Sequence, residues 1–278
     1  MYGSKFGGKT MIVFYSLLAL VIILLFYMRF EATLVETKHV KFTKNKKHLK
    51  IIQLSDIHIN CLKVSANKVK RILQQEKPDL IIMTGDYITQ QKHIPAFLTF
   101  LEIIKENHKI VASLGNHEYK AFLNDAVGLN KFIADINTLG ITILQNTALS
   151  IEKNQKHYNI IGINDVNYSH HQIENVAPSK ELKSTLNIGF SHNPDIVFEL
   201  PQGNIDYLFC GHFHGGQIWA PFELEFKLMR KEKLCKMGIK HGLHKINGLL
   251  LYINRGLGNV FVPLRFLSRP EITVFYLP

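Results

Sequence analysis

From Lys50 onward the chain alternates short apolar runs with amphipathic stretches, the pattern of a sheet covered by helices. Ile51 to Leu54, Leu80 to Met83 and Ile110 to Leu114 are the first runs and read as strands. Between the first two, Ser65 is placed to cap a helix whose Val69, Ile72 and Leu73 share one face before Pro78 stops it. After Pro95, Phe97, Leu98, Leu101 and Ile104 repeat that spacing. A third helix is predicted from about Asn124 to Leu139, with Phe132, Ile133 and Ile136 inward and Gly140 beyond its end. This half reads as repeated β-α-β. After Gly140 come shorter β-like pieces, Ile141 to Leu144, Ala148 to Ile151 and Tyr158 to Ile163, with Asn154-Gln155-Lys156 as a hairpin turn. Later strands are expected at Asn187 to Phe190, Tyr207 to Cys210, Leu249 to Ile253 and Ile272 to Leu277.

Ahead of these elements, the stretch from Met11 to Met28 carries no charge and would measure roughly 27 Å as a helix, enough to span a thin or slightly compressed bilayer. A cleaved signal peptide would follow its apolar run with small residues in an A-x-A pattern, whereas this run continues into Met28-Arg29-Phe30-Glu31. The expected organisation is therefore a short tail over 1–10, a transmembrane anchor over 11–28, a basic linker over 29–49 and one folded domain over 50–278. Lys5 and Lys9 precede the span, while Arg29, Lys38, Lys41, Lys44, Lys46 and Lys47 follow it, a bias that puts the domain on the cytoplasmic side of a single-pass protein. The basic run Lys38 to Lys50 reads equally as a solvated linker and as a stretch drawn to anionic headgroups.

Composition adds charge and little else. Lys and Arg number 33 against 22 Asp and Glu, a formal net charge of +11 that favours an anionic partner without choosing among phosphate, nucleic acid and lipid. The three cysteines, Cys61, Cys210 and Cys235, are odd in number and widely spaced. That spacing argues against a disulfide framework, leans toward a reducing compartment and offers no CxxC thiolate site.

The chemistry sits where the apolar runs stop. They end in Ser55-Asp56-Ile57-His58, Gly85-Asp86 and Gly115-Asn116-His117-Glu118, and two later strands end in Ser191-His192-Asn193 and Gly211-His212-Phe213-His214. Loops at the carboxyl ends of strands in an open α/β sheet converge on one crevice, so these distant clusters can meet. Three carboxylate or amide oxygens and several imidazoles are too many polar groups for a core, but they suit two divalent cations of intermediate softness, Mn²⁺ foremost, with Zn²⁺ or Fe also compatible. Asp86, with two oxygens, is able to bridge the ions. Such a pair would turn a shared water into hydroxide for in-line attack on phosphorus, and His117 is placed to protonate the leaving oxygen. Any single one of the 14 histidines is more often a surface or core residue; His39, His48, His93, His108, His157, His170 and His171 are left there, and His192 is the least secure ligand because it stands alone. Neither a Walker loop nor a Gly-x-Ser-x-Gly elbow is present, which removes support for nucleotide-driven or serine-based chemistry.

Asp56-x-His58, Gly85-Asp86, Gly115-Asn116-His117-Glu118, His192 and Gly211-His212-x-His214 together resemble the calcineurin-like metallophosphoesterases, over about Lys50 to Pro278. The resemblance implies an α/β fold, a four-layer α/β/β/α sandwich of two mixed sheets. It also implies Asp56, His58 and His214 on one metal, Asn116, His192 and His212 on the other, Asp86 between them, and His117 near the leaving group. His214-Gly215-Gly216-Gln217-Ile218, Asn254-Arg255-Gly256-Leu257-Gly258, Pro263-Leu264-Arg265 and Pro270-Glu271-Ile272 are similar to a membrane-tethered bacterial branch that includes UDP-2,3-diacylglucosamine pyrophosphatases. For this chain the branch implies a catalytic domain held at the bacterial inner membrane and a lipid-linked substrate of lipid A synthesis.

A lipid substrate would account for the anchor, since tethering raises the local concentration of the site at an interface. Asn254 and Arg255 are candidate substrate contacts, with a structural salt bridge an equal reading for Arg255. The stretch Ala220 to Lys245, mixing Phe222, Leu224 and Phe226 with Arg230, Lys231 and Lys233, reads as an interfacial or substrate-covering insertion or as an ordinary packed loop or hairpin with a solvated basic edge. Two further functions stay open, a less selective phosphodiesterase or phosphatase on soluble esters and a non-catalytic scaffold. The anchor and the lack of a basic stripe interleaved with aromatics speak against a nucleic-acid partner, and no protein partner is inferred.

Overall fold

The computed structural model describes residues 4–45, 49–168, 185–219 and 230–278. The long helix α1 (Ser4–Glu31) is apolar enough over Gly8–Glu31 to cross a membrane. Beyond it, among the described residues, lie two six-stranded mixed sheets. The first holds β1 (Glu36–Lys41), β2 (Leu49–Leu54), β3 (Leu80–Thr84), β4 (Ile110–Ser113), β5 (Ile141–Ile143) and β12 (Glu271–Leu277), in the order β1-β12-β2-β3-β4-β5. The second holds β6 (Thr147–Lys153), β7 (Lys156–Gly162), β8 (Thr185–Phe190), β9 (Tyr207–Cys210), β10 (Gly242–Ile246) and β11 (Leu249–Ile253), in the order β10-β11-β9-β8-β7-β6.

Alternation along each strand explains the layering. Leu49 and Ile51 of β2, Ile82 of β3, Phe190 of β8, Phe209 of β9 and Phe275 of β12 fill the space between the sheets. Ile52, Leu54, Ile81, Met83 and Ala112 point the other way, onto a core shared with α2 (Ala66–Glu76), α3 (Ile94–Lys105) and α5 (Ala126–Thr138). Leu208, Cys210, Leu251 and Ile253 face the outer side of the second sheet, where a 3-10 turn (Pro194–Phe198) and a one-turn helix (Lys233–Lys236) pack. Among the described residues this outer layer holds no helix as long as α2, α3 or α5.

The helix signals act as expected. Ser65 accepts from the Lys68 amide at the start of α2, with Val69 and Leu73 buried. Asp125 accepts from Gly128 at the start of α5. Asn154 and Gln155, both at positive φ, turn β6 into β7, the left-handed pair that a two-residue hairpin requires.

One stretch differs from the sequence reading, and a second had two readings open. Residues 29–49, expected to form a linker, contain the last turn of α1 and all of β1, which pairs in parallel with β12 from Glu36↔Glu271 to Lys41↔Tyr276. The stretch 220–245, read either as an insertion or as a packed loop or hairpin, has its first ten residues, 220–229, outside the described residues; His170, His171 and the Lys46–His48 part of the basic run lie outside them too. Its remainder is packed structure: Leu234 and Cys235 are buried, and Gly242–Ile246 forms β10.

Candidate metal centre

Five strand ends converge at one edge of the two sheets. Asp56 and His58 follow β2, Asp86 follows β3, Asn116 opens the short helix α4 (Asn116–Ala121) after β4, His192 follows β8, and His212 and His214 follow β9. All seven are buried. Asp56, His58, Asp86, His212 and His214 have positive φ, between 39° and 77°. Non-glycine residues adopt that backbone only when their surroundings impose it, and such residues gather at functional sites. Here it turns each donor back over its strand end. Space is cleared by glycine: a Cβ at Gly256, itself at φ +71°, would lie 2.7 Å from the Asp56 Cβ, and one at Gly115 would lie 2.3 Å from Asp86 Oδ1.

Asp86 is the hub. Its Oδ2 lies 3.1 Å from His192 Nε2, 3.5 Å from His58 Nε2 and 3.9 Å from His117 Nε2, while Oδ1 accepts from the His117 amide at 2.9 Å. On one side Asp56, His58 and His214 form a group whose donor atoms lie within 4.8 Å of one another; on the other Asp86, His192 and His212 do the same. His58, Asp86 and His117 form a third group between them. His214 Nε2 is 3.3 Å from Asp56 Oδ1, and His212 Nδ1 is 3.0 Å from His192 Nε2. Asn116 lies between Gly115, where a Cβ would run into Asp86, and His117, whose amide donates to Asp86.

The donor set fits cations. Among the described residues, both ring nitrogens of His58, Nδ1 of His214 and Oδ1 of Asn116 are buried with no hydrogen-bond partner, an arrangement that costs stability unless another group takes the lone pairs. Burial pushes the His58 imidazole down to about 3, which keeps it neutral as a ligand must be. Burial would lower His192 as well, but the Asp86 carboxylate overrides it and raises His192 to about 10, so positive charge is favoured beside Asp86. Burial would raise Asp56 and Asp86, yet His214 and His192 respectively hold them below the usual carboxylate range. Both acids are thereby anionic.

A second ring of contacts orients the donors, and little of it was visible in sequence. Glu118, quoted in the motif but given no role there, accepts from the amides of Asp86, Tyr87, Ile88 and Gly115 at 2.6 to 3.0 Å, fixing the β3 and β4 loops against each other. Burial and the nearby Asp86 push its carboxyl up to about 7. His192 Nδ1 donates to the Thr84 carbonyl at 2.8 Å. His212 Nε2 donates to Glu232 at 2.9 Å, which turns Nδ1 toward the cluster. Carboxylates and carbonyls behind imidazoles are the usual means of fixing a ligand's tautomer. Glu232 had no sequence signal, since nothing before folding links it to a residue twenty positions away.

The two candidate substrate contacts are otherwise engaged. The Arg255 guanidinium pairs with Glu271 at 2.6 Å and Glu36 at 2.5 Å. This is the salt bridge held open as its alternative reading. Asn254 is fully buried, donates to Thr273 Oγ1 at 2.7 Å and accepts from the Gly256 amide at 2.6 Å. His117 is placed differently: its side chain is 23% exposed, against at most 10% for the other site imidazoles, so it stands at the mouth.

Comparison with known proteins agrees with this geometry. Residues 49–216 match the model of a family described as calcineurin-like phosphoesterase. An uncharacterized metallophosphoesterase, YkoQ of Bacillus subtilis, is 32% identical over 82% of this chain and 83% of its own length. The UDP-2,3-diacylglucosamine pyrophosphatase LpxG of Chlamydia trachomatis is 30% identical over 81% and 82%. The phosphodiesterase YaeI of Escherichia coli is 27% identical over 85% and 84%.

Proposed function

The chain belongs to the calcineurin-like phosphoesterase family and is a hydrolase of phosphoesters, and from that premise we propose that it is a membrane-anchored, dinuclear-metal enzyme acting on a lipid-linked phosphodiester or pyrophosphate. UDP-2,3-diacylglucosamine is the substrate this reading favours. The observation that carries the proposal is the pair of donor groups on either side of Asp86, closing around one carboxylate that touches both. Asp56, His58 and His214 would hold one cation; Asn116, His192 and His212 the other; Asp86 would lie between. Divalent cations held there, Mn²⁺ foremost with Zn²⁺ or Fe also compatible, supply Lewis acidity toward phosphate oxygens and lower the pKa of water.

The chain's own groups do the rest. His117, at the mouth and near Asp86, would protonate the departing oxygen, the Asp86 carboxylate partly offsetting the burial that lowers its imidazole. Glu118 and Glu232 keep the donors aimed, so little reorganisation accompanies the reaction. Support for a lipid-borne substrate comes from the likeness to LpxG and from α1, which would anchor the enzyme in a bacterial inner membrane. The Lys and Arg excess after the span supports a cytoplasmic catalytic domain, near an anionic leaflet.

The test is a substrate panel on the detergent-solubilised full chain with added Mn²⁺. Release of UMP from UDP-2,3-diacylglucosamine is the expected result. Turnover of bis-p-nitrophenyl phosphate with no UMP release from the lipid would remove this substrate and leave the less selective phosphodiesterase. Failure on every phosphoester by a metal-loaded chain would leave the scaffold.

A further inference from the structure

We propose that the loops packed around the foot of α1 form a second contact with the bilayer beside the span itself, an apolar rim that seats the mouth of the site on the lipid surface. This rests on the reading of α1 as a membrane anchor.

The rim consists of residues that a water-facing loop has no reason to expose. Phe261 is 85% exposed, Leu267 60%, Trp219 53% and Val262 43%, and Phe26 and Phe30 at the end of α1 are 72% and 60% exposed. Large apolar side chains exposed on neighbouring loops mark protein or membrane contact, and beside an anchor the occupant at hand is the bilayer. A tryptophan among them suits the boundary between headgroups and acyl chains. Arg29, next to Phe30, and Arg269, two residues beyond Leu267, are both exposed and would meet lipid phosphates there.

The patch continues the helix physically. The Arg265 amide donates to the Met28 carbonyl at 3.1 Å, and the amides of Leu267 and Ser268 donate to the buried Glu31 carboxylate, each at 3.1 Å. The Tyr27 and Phe266 rings meet edge to face at 6.2 Å. Trp219 joins through its amide, which donates to the Phe266 carbonyl at 2.9 Å. Three fixed points on α1 therefore set the height of these loops relative to the end of the span.

The same loops reach the site. Ser268 Oγ donates to the His214 carbonyl at 3.1 Å, and the Gly258 amide donates to the Asp56 carbonyl at 2.7 Å. The fully buried Arg265 guanidinium gathers the carbonyls of Arg255, Gly256, Gly258 and Ser268 into one rigid knot. Trp219 lies five residues beyond His214. Seating the rim thus sets the distance from the lipid surface to two candidate ligands, which suits a phosphoester whose other end stays in the bilayer.

Trp219 is the sole tryptophan of the chain, so its fluorescence reports on the rim alone. The full chain is reconstituted into phosphatidylcholine and phosphatidylglycerol vesicles whose acyl chains carry bromine, a contact quencher, and its retention is checked by alkaline carbonate extraction. The expected result is a carbonate-resistant chain whose Trp219 is quenched by brominated lipid and shielded from aqueous acrylamide. A Phe261→Ser, Leu267→Ser double variant is expected to stay carbonate-resistant and lose most of that quenching. A resistant chain whose Trp219 answers to acrylamide and not to bromine overturns the rim and leaves the anchor. Shielding from both quenchers assigns the patch to protein contact and overturns it too. Extraction of the chain by carbonate removes the anchor reading, and the rim with it.

Discussion

The first and second sheets have the same number of strands and share the core between them, yet they bring different atoms to the rim. The first supplies the oxygen donors, Asp56, Asp86 and Asn116, with His58; the second supplies the imidazoles of His192, His212 and His214. Neither half offers a balanced donor set for two cations. The site is therefore a property of the packing between sheets, and the contacts that lock them belong to its machinery. Phe209 of one sheet stacks on Phe275 of the other with centroids 3.9 Å apart. Gln53, one residue before the end of β2, donates to Thr84 at 3.0 Å and across the gap to the Cys210 carbonyl at 2.9 Å.

The hardest blow to this division falls on the residue that touches both sides. Asp86→Asn is expected to abolish stoichiometric metal and lower turnover roughly 10⁴-fold, several kcal/mol of barrier, checked by elemental analysis beside steady-state rates. Normal metal content in that variant would place the hub elsewhere. His117→Ala is expected to keep its metal and lose roughly 10³-fold in turnover; a variant that loses metal would make His117 a ligand.

Phe209→Ala, which leaves every donor in place, is expected to cost about 3 kcal/mol in urea unfolding and to weaken metal affinity as the sheets loosen. Unchanged affinity would mean that each half holds its donors alone. Glu232→Ala is expected to weaken metal binding roughly 10- to 100-fold by chelator competition, since His212 loses the carboxylate behind its ring. The smallest effect comes from Ser65→Ala, remote from the site: about 1 kcal/mol of stability lost with the α2 cap, and metal affinity untouched.

What was legible in the sequence was what carries a strong local signal. β2, β3 and β4 announce themselves as buried apolar runs, and Ser65, Pro78 and Gly140 punctuate the helices between them. The donors were legible because each polar cluster directly follows such a run. β1 and β10 were missed for a shared reason: both are outermost strands, ETKHVK and GLHKI, whose polar side chains face water and erase the apolar pattern. With β1 went the idea of a free linker, because only its pairing with β12 shows that the chain enters the sheet shortly after α1 ends. Arg255 shows the opposite difficulty, an arginine beside glycines that invites a phosphate and is committed to Glu36 and Glu271. Glu36 lies 219 positions away, and charge pairing over that span leaves no mark on a single sequence.

The left-handed backbone at Asp56, His58, Asp86, His212 and His214 sets activity against thermal robustness. Glycine would relieve the torsion at each position and delete the donor in the same stroke, whereas a β-branched residue would worsen both. Loss of function at this rim is thus the easy evolutionary direction, open to melting-point gains that the working enzyme forgoes.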